Sequence, residues 1–172
     1  MNLIFDFSKI LVTGPQRSGT RIVAKMIAHD NDIQYVSEQQ IAVRDERKVR
    51  HFLYRNDRLV IQCPGLCHRI EDFSGTNILI VIVVRNVEDI IASQRRINWN
   101  RHQHKELSLY GKKSGIISEV RYEHWKLQKK KIANWLEIRY EDLKDHPLFI
   151  PKDLRKNFRY NQTERIPKEA TS

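Results

Sequence analysis

Ile10-Leu-Val-Thr-Gly-Pro-Gln-Arg-Ser-Gly-Thr-Arg21 decides the reading of this chain. The apolar run Ile10–Val12 reads as a buried strand. A turn follows, with glycine at 14 and 19, and then Ile22, Val23, Met26 and Ile27 recur at the spacing of one helix face. Strand, glycine turn and helix in that order make a phosphate-cradling loop. The first backbone N–H groups of a helix have no carbonyl a turn earlier to bond, and the helix dipole adds partial positive charge there. Gly14 and Gly19 allow the backbone to turn tightly and approach an anion closely. The common triphosphate loop needs Lys at position 20, before Ser or Thr. Here Thr20 and Arg21 stand there, and the nearest preceding cation is Arg17. The loop therefore suits a phosphate-like group but not Lys-assisted transfer of a γ-phosphate.

Working outward, further continuous apolar runs mark Leu59–Ile61, Ile78–Val84 and Trp135–Ile138 as strands, with Ile33–Val36 a weaker candidate. Runs without polar alternation are those of a parallel sheet covered on both faces. Val87, Ile90 and Ile91, followed by Ile97, predict a second helix. Ile116, Val120 and Trp125 predict a third, running into Lys129–Lys131. Alternating strands and helices predict an α/β fold: one three-layer domain with a mainly parallel central sheet, resembling the P-loop nucleoside-triphosphate hydrolases. Residues 1–160 read as that domain and 161–172 as a flexible tail. The segment Asn98–Gly115 is polar, basic and aperiodic, and reads as a long loop.

The 172 residues suit a single core, and 40% of them are hydrophobic. A formal net charge of +10 favours anionic partners such as nucleotides, sulfated or phosphorylated substrates, or nucleic acid; a solubilising surface explains the same charge equally well. Cys63 and Cys67, without a second pair, make no zinc framework and read as two partly buried thiols. His102 and His104, one residue apart in a basic loop, are assigned no metal. No basic leader with a long apolar core opens the chain, and no apolar run reaches membrane-spanning length. The expectation is a soluble cytoplasmic protein.

A second stretch, Val81-Ile-Val-Val-Arg-Asn-Val-Glu-Asp-Ile-Ile-Ala-Ser93, places Arg85 at the carboxyl end of a central strand, where open α/β sheets bind ligands. A guanidinium there can grip a phosphate through two parallel hydrogen bonds. Ser93 adds a hydroxyl donor. Alone, Arg85 fits a structural ion pair as well, and Ser93 a helix surface. Asn86 can cap the following helix, with Asp89 placed to complete a capping box. A third stretch, Trp135-Leu-Glu-Ile-Arg-Tyr-Glu-Asp-Leu-Lys144, reads as a strand entering a capped helix start.

Taken together, Pro15-Gln-Arg-Ser-Gly-Thr20, Arg85-Asn-Val-Glu-Asp89 with Ser93, and Tyr140-Glu-Asp-Leu143 resemble, in order and separation, the motifs of the sulfotransferases that use 3′-phosphoadenosine 5′-phosphosulfate. The resemblance runs from about Ile10 to Pro147. It implies that the loop holds the 5′-phosphosulfate through amides from Arg17 to Arg21, so that Arg17, Ser18, Gly19, Thr20 and Arg21 form the donor site, with the Arg17 and Thr20 side chains assisting. It implies that Arg85 and Ser93 hold the 3′-phosphate and that no metal is required. Tyr140–Leu143 would be architectural. For the base that takes the acceptor proton it implies Glu38, after the second strand, or alternatively His68, with Arg17 also serving the transferring group. The acceptor would be a hydroxyl or amine, anionic or carbohydrate among the options. The sequence departs from the family at Gln62, where many relatives carry Lys, and lacks their glycine-containing basic C-terminal segment, for which Arg155 and Lys156 are the stand-ins. The competing readings are a P-loop nucleotide kinase, which expects Lys at 20 and an acidic residue at a strand end, and a catalytically silent nucleotide- or nucleic-acid-binding module.

Overall fold

A computed structural model describes residues 3–41, 46–55, 57–67, 69–73, 75, 77–96 and 114–151. Five strands, β1 (Lys9–Thr13), β2 (Gln34–Ser37), β3 (Leu59–Gln62), β4 (Ile78–Val84) and β5 (Trp135–Arg139), form one sheet in the order β2-β3-β1-β4-β5. Every pairing among them is parallel. The helices are α1 (Thr20–Asn31), α2 (Glu46–Arg55), α3 (Val87–Arg96) and α4 (Ser114–Gln128), with short 3-10 segments that include Lys129–Lys131 and Tyr140–Asp145.

The unbroken apolar runs have the expected cause: successive side chains enter two different cores. Ile10 and Val12 of β1, Val60 of β3, and Leu79, Val81 and Val83 of β4 pack with Val23, Ala24, Met26 and Ile27 of α1. Leu11, Leu59, Ile61, Ile80 and Ile82 point the other way, to Val49 and Leu53 of α2 and Trp125 of α4. A strand buried on both faces has no place for polar alternation. Three layers result, with α1 and residues 138–149 on one face and α2 and α4 on the other.

The strand and helix positions expected from sequence hold to within a residue or two where they are described, with three differences. Helix α2 was not expected. Only Val49, Phe52 and Leu53 mark its buried stripe, within a run of charged residues. Helix α4 begins at Ser114, so the end of the expected Asn98–Gly115 loop is helical. The third stretch continues from β5 not into a capped α-helix but into the 3-10 segment Tyr140–Asp145, and Arg139 before it gives no side-chain cap. Residues 97–113, with His102 and His104, lie outside the described residues, as does the expected tail with Arg155 and Lys156. Cys63 and Cys67 are both buried, and neither forms a disulfide among the described residues. No helix among the described residues is long and apolar enough to cross a membrane.

One polar hub ties the ends of the domain to α1. The Asp30 carboxylate accepts from the Leu3 N–H at 2.8 Å and from Nε2 of the fully buried His146 at 3.0 Å, and pairs with His29 Nδ1 at 3.0 Å. Leu148 N–H donates to His146 Nδ1, so the imidazole proton sits on Nε2, facing Asp30. Burial raises the Asp30 carboxyl, but the bonds from His29, Leu3 and His146 outweigh it and hold the group below its ordinary value.

Candidate functional site

The chain leaves β1 and crosses under α1 to β2 on one side, while β4 flanks β1 on the other. The carboxyl ends of β1 and β4 therefore border the crevice where the connections diverge, which is where open α/β sheets take ligands. The loop 14–19 fills the mouth of that crevice. Gly14 has φ +146°, and a Cβ built on it would lie 2.7 Å from the Val83 carbonyl oxygen, so the loop crosses β4 at a distance only glycine tolerates. Arg17 adopts a left-handed φ of +74°. Gly19, the N-cap of α1, has φ +105°, and a Cβ there would sit 2.3 Å from the Tyr140 ring.

Within the loop, Ser18 N–H closes back on the Pro15 carbonyl at 3.0 Å, which occupies one of the five amides assigned to an anion from sequence. The helix proper starts with Val23 N–H on the Gly19 carbonyl at 3.2 Å, so the amides before it open toward the loop mouth. Ser18 Oγ is buried without a hydrogen-bond partner among the described residues. Thr20, also buried, accepts from Gln62 Nε2 at 3.2 Å, and Gln62 Oε1 in turn accepts from the Tyr35 hydroxyl at 3.5 Å. With its oxygen engaged by an amide N–H, Thr20 has its own O–H to offer. Arg21 lies half-buried in the first turn of α1.

Arg85, Arg17 and Ser93 are brought together although 76 residues separate the last two. Arg85 Nη1 donates to the Arg17 carbonyl at 3.1 Å, and Arg17 Nε donates to Ser93 Oγ at 3.1 Å. Gln94 Nε2 adds a bond to the Gln16 carbonyl at 3.4 Å, fastening α3 to the loop. The Arg17 side chain thus reaches across to the second expected anion site rather than standing over the first alone. Arg85 is held from both sides. Its guanidinium lies 4.3 Å from the centre of the Tyr140 ring, a stacking contact. Its backbone N–H donates to the Tyr122 hydroxyl at 3.0 Å, which itself donates to the Val83 carbonyl at 3.3 Å. Burial, with repulsion from Cys67 and Glu141, pushes the Tyr122 phenol well above its ordinary value against the opposing influence of Arg85, so it stays a neutral strut. Arg85 Nε is buried and has no partner among the described residues.

Asn86 caps α3 as expected, accepting from the amides of Glu88 at 2.8 Å and Asp89 at 3.3 Å. The reciprocal half of the capping box is absent: Asn86 N–H goes to Glu141 Oε1 at 3.2 Å instead, because the Tyr140–Asp145 segment crosses over the start of α3. Glu38 stands half-buried in the turn after β2. Ser37 pairs with Gln62, and Gln62 with Val12, which puts Glu38 on the same sheet edge as the loop at two strand spacings, roughly 10 Å. His68 lies outside the described residues. Among the described residues no group of three or more His, Cys, Asp or Glu side chains is placed to hold a metal.

No protein-family model and no curated protein matches the chain. Among solved structures it is similar to an uncharacterized protein from Eubacterium ventriosum ATCC 27560, at 16% identity and a TM-score of 0.41, over 76% of this chain and 88% of that one.

Tyr122 and Gln94 are the members of this site that sequence reasoning missed. Tyr140, architectural by the resemblance, packs as both the roof over Gly19 and the platform for Arg85. A glycine required at 19 and an arginine at a strand end each hint at a flat neighbour, but nothing local says which aromatic supplies it.

Proposed function

We propose that the chain is a sulfotransferase that takes its sulfuryl group from 3′-phosphoadenosine 5′-phosphosulfate and passes it to a hydroxyl or amine. The observation that carries the reading is the joining of Arg85 and Ser93 to the loop through Arg17, which gathers two anion-binding elements into one crevice. A single-phosphate loop does not need the second element. The donor set fits such a nucleotide. It offers the opening amides of α1, the Thr20 hydroxyl, two guanidinium groups and two buried donors without partners among the described residues, Ser18 Oγ and Arg85 Nε. The nucleotide kinase alternative lacks its lysine at 20 and an acid at the ends of β3 and β4: β3 closes with Gln62, and Arg85 directly follows β4.

When bound, the donor supplies a sulfuryl group that moves to the acceptor oxygen or nitrogen as its bond to the 5′-phosphate oxygen breaks. The α1 amides and Arg17 hold the negative charge that gathers on that leaving phosphate, as positive groups do in phosphoryl transfer. Thr20, held by Gln62, donates to a non-bridging oxygen. Arg85 and Ser93 grip the 3′-phosphate. Glu38 takes the acceptor proton, which its place on the same sheet edge allows and which requires the acceptor to bridge the gap from the loop. Cations and amides meet the charge demand without a metal. The net charge of +10 suits an anionic acceptor, an acidic carbohydrate among the options.

The test is thermal stabilisation of the full chain by adenosine 3′,5′-bisphosphate, by ATP with magnesium and by an oligonucleotide, since a ligand of the native state raises the melting temperature by mass action. The bisphosphate alone should give a clear shift, and Arg85→Ala should abolish it. A larger response to ATP with magnesium supports the kinase; a response only to the oligonucleotide supports the silent binding module.

A further inference from the structure

Ser93 sits one turn before the end of α3 and is only 5% exposed. Two guanidinium groups cover it. Arg17 Nε donates to Ser93 Oγ from the loop at 3.1 Å, and Arg96 Nη2 donates to the same oxygen from three residues along the helix at 3.4 Å. The favourable dipole at the helix C-terminus accounts for a basic residue at position 96. It does not account for the head group folding inward onto a hydroxyl that already has a donor. With both lone pairs of Oγ engaged by N–H groups, Ser93 keeps its own O–H as a donor. Arg85, bonded to the Arg17 carbonyl, adds a third cation whose buried Nε has no partner among the described residues. Gln94, bonded to the Gln16 carbonyl, keeps this end of α3 in register with the loop.

We infer that Arg96 is a direct ligand of the nucleotide's second phosphate: Arg17, Arg85 and Arg96 converge around the Ser93 hydroxyl to bind a ribose 3′-phosphomonoester, with Arg96 supplying the outermost contact. This rests on the donor-nucleotide reading above. It adds that a cation on α3 itself serves this phosphate, next to two side chains already joined to the loop. A doubly charged phosphomonoester matches a cluster of three cations better than a singly charged diester does.

Calorimetric titration of the full chain with adenosine 3′,5′-bisphosphate, adenosine 2′,5′-bisphosphate and adenosine 5′-monophosphate tests it. Arg96→Ala should weaken the 3′,5′-bisphosphate about ten- to a hundredfold, the worth of one charge-assisted hydrogen-bonding group, and leave the 5′-monophosphate within about twofold. Arg96→Lys, which keeps charge but loses the fork, should fall between. Melting temperatures of both variants without ligand should match wild type, since Arg96 is exposed at a helix end. Equal weakening of bisphosphate and monophosphate, or none of either, overturns the assignment of Arg96 while the donor reading stands. A wild-type preference for the 2′,5′-isomer overturns the 3′ assignment. Failure of the wild type to bind any of the three overturns the donor reading and this inference with it.

Discussion

Replacing Gly19 with alanine tests the centre of the site, and its cost can be worked from two features of the structure. The backbone there has φ +105°, which L-residues seldom adopt, and holding one in such a region costs about 1–3 kcal/mol. The added methyl would also lie 2.3 Å from Cδ2 and 2.7 Å from Cε2 of Tyr140, closer than any tolerated contact. Relieving that overlap in a packed region costs about 1–3 kcal/mol more. The total of about 2–6 kcal/mol corresponds, in a domain of this size, to a fall in melting temperature of roughly 4–24 °C. The ring can yield only by leaving the Arg85 guanidinium stacked upon it, so bisphosphate affinity should drop together with stability. Urea unfolding of Gly19→Ala in the wild-type and Tyr140→Ala backgrounds separates the two contributions. If the ring causes the clash, Gly19→Ala costs at least about 1 kcal/mol less when the ring is gone, since residues in contact are not additive. An equal cost in both backgrounds, or a total below about 1 kcal/mol, would refute the account.

Glu38→Gln should leave bisphosphate binding within about twofold and reduce transfer by about a hundredfold or more, the usual contribution of a general base; full activity in a single-turnover assay removes Glu38 from the mechanism. Tyr122→Phe removes the acceptor of the Arg85 N–H and should destabilise by about 1–3 kcal/mol, read from denaturant midpoints, because a largely buried donor is left unpaired. Asp30 has a lowered folded-state pKa, so its stabilising contribution is fully present above the unfolded value of about 3.9 and disappears as pH falls through the folded value. Asp30→Asn should therefore be less stable than wild type near neutrality, and the gap should close in urea titrations below about pH 4; a gap independent of pH contradicts the hub.

What the sequence made legible was local. The unbroken run Ile10–Val12 meeting Gly14 and Gly19 announces strand, turn and helix, because each step is decided by neighbours a few residues away. Asn86 announces its cap for the same reason. Helix α2 escaped notice because its buried stripe is only Val49, Phe52 and Leu53 among charged residues, and its helicity owes more to docking on the sheet than to its own pattern. The diversion of Asn86 N–H to Glu141 depends on a segment 55 residues away, and the bond from Arg17 to Ser93 spans 76. No spacing rule reaches that far. The resemblance chose Arg85 and Ser93 as partners of the loop; that Arg17 itself bridges them depends on strand order, which places β4 beside β1.

That strand order also shapes how the chain can fold as it leaves the ribosome. The central strand β1 is made before both of its neighbours, β3 and β4, so one of its edges waits for residue 62 and the other stays unpaired until residue 84 has emerged. At 5–20 residues per second, that interval lasts roughly 4–14 s after β1 is complete. Through it, an apolar segment destined to be covered on both faces stays open to intermolecular pairing, so the yield of native protein should respond to translation speed and holdase supply far more than to changes in the solvent-facing helices.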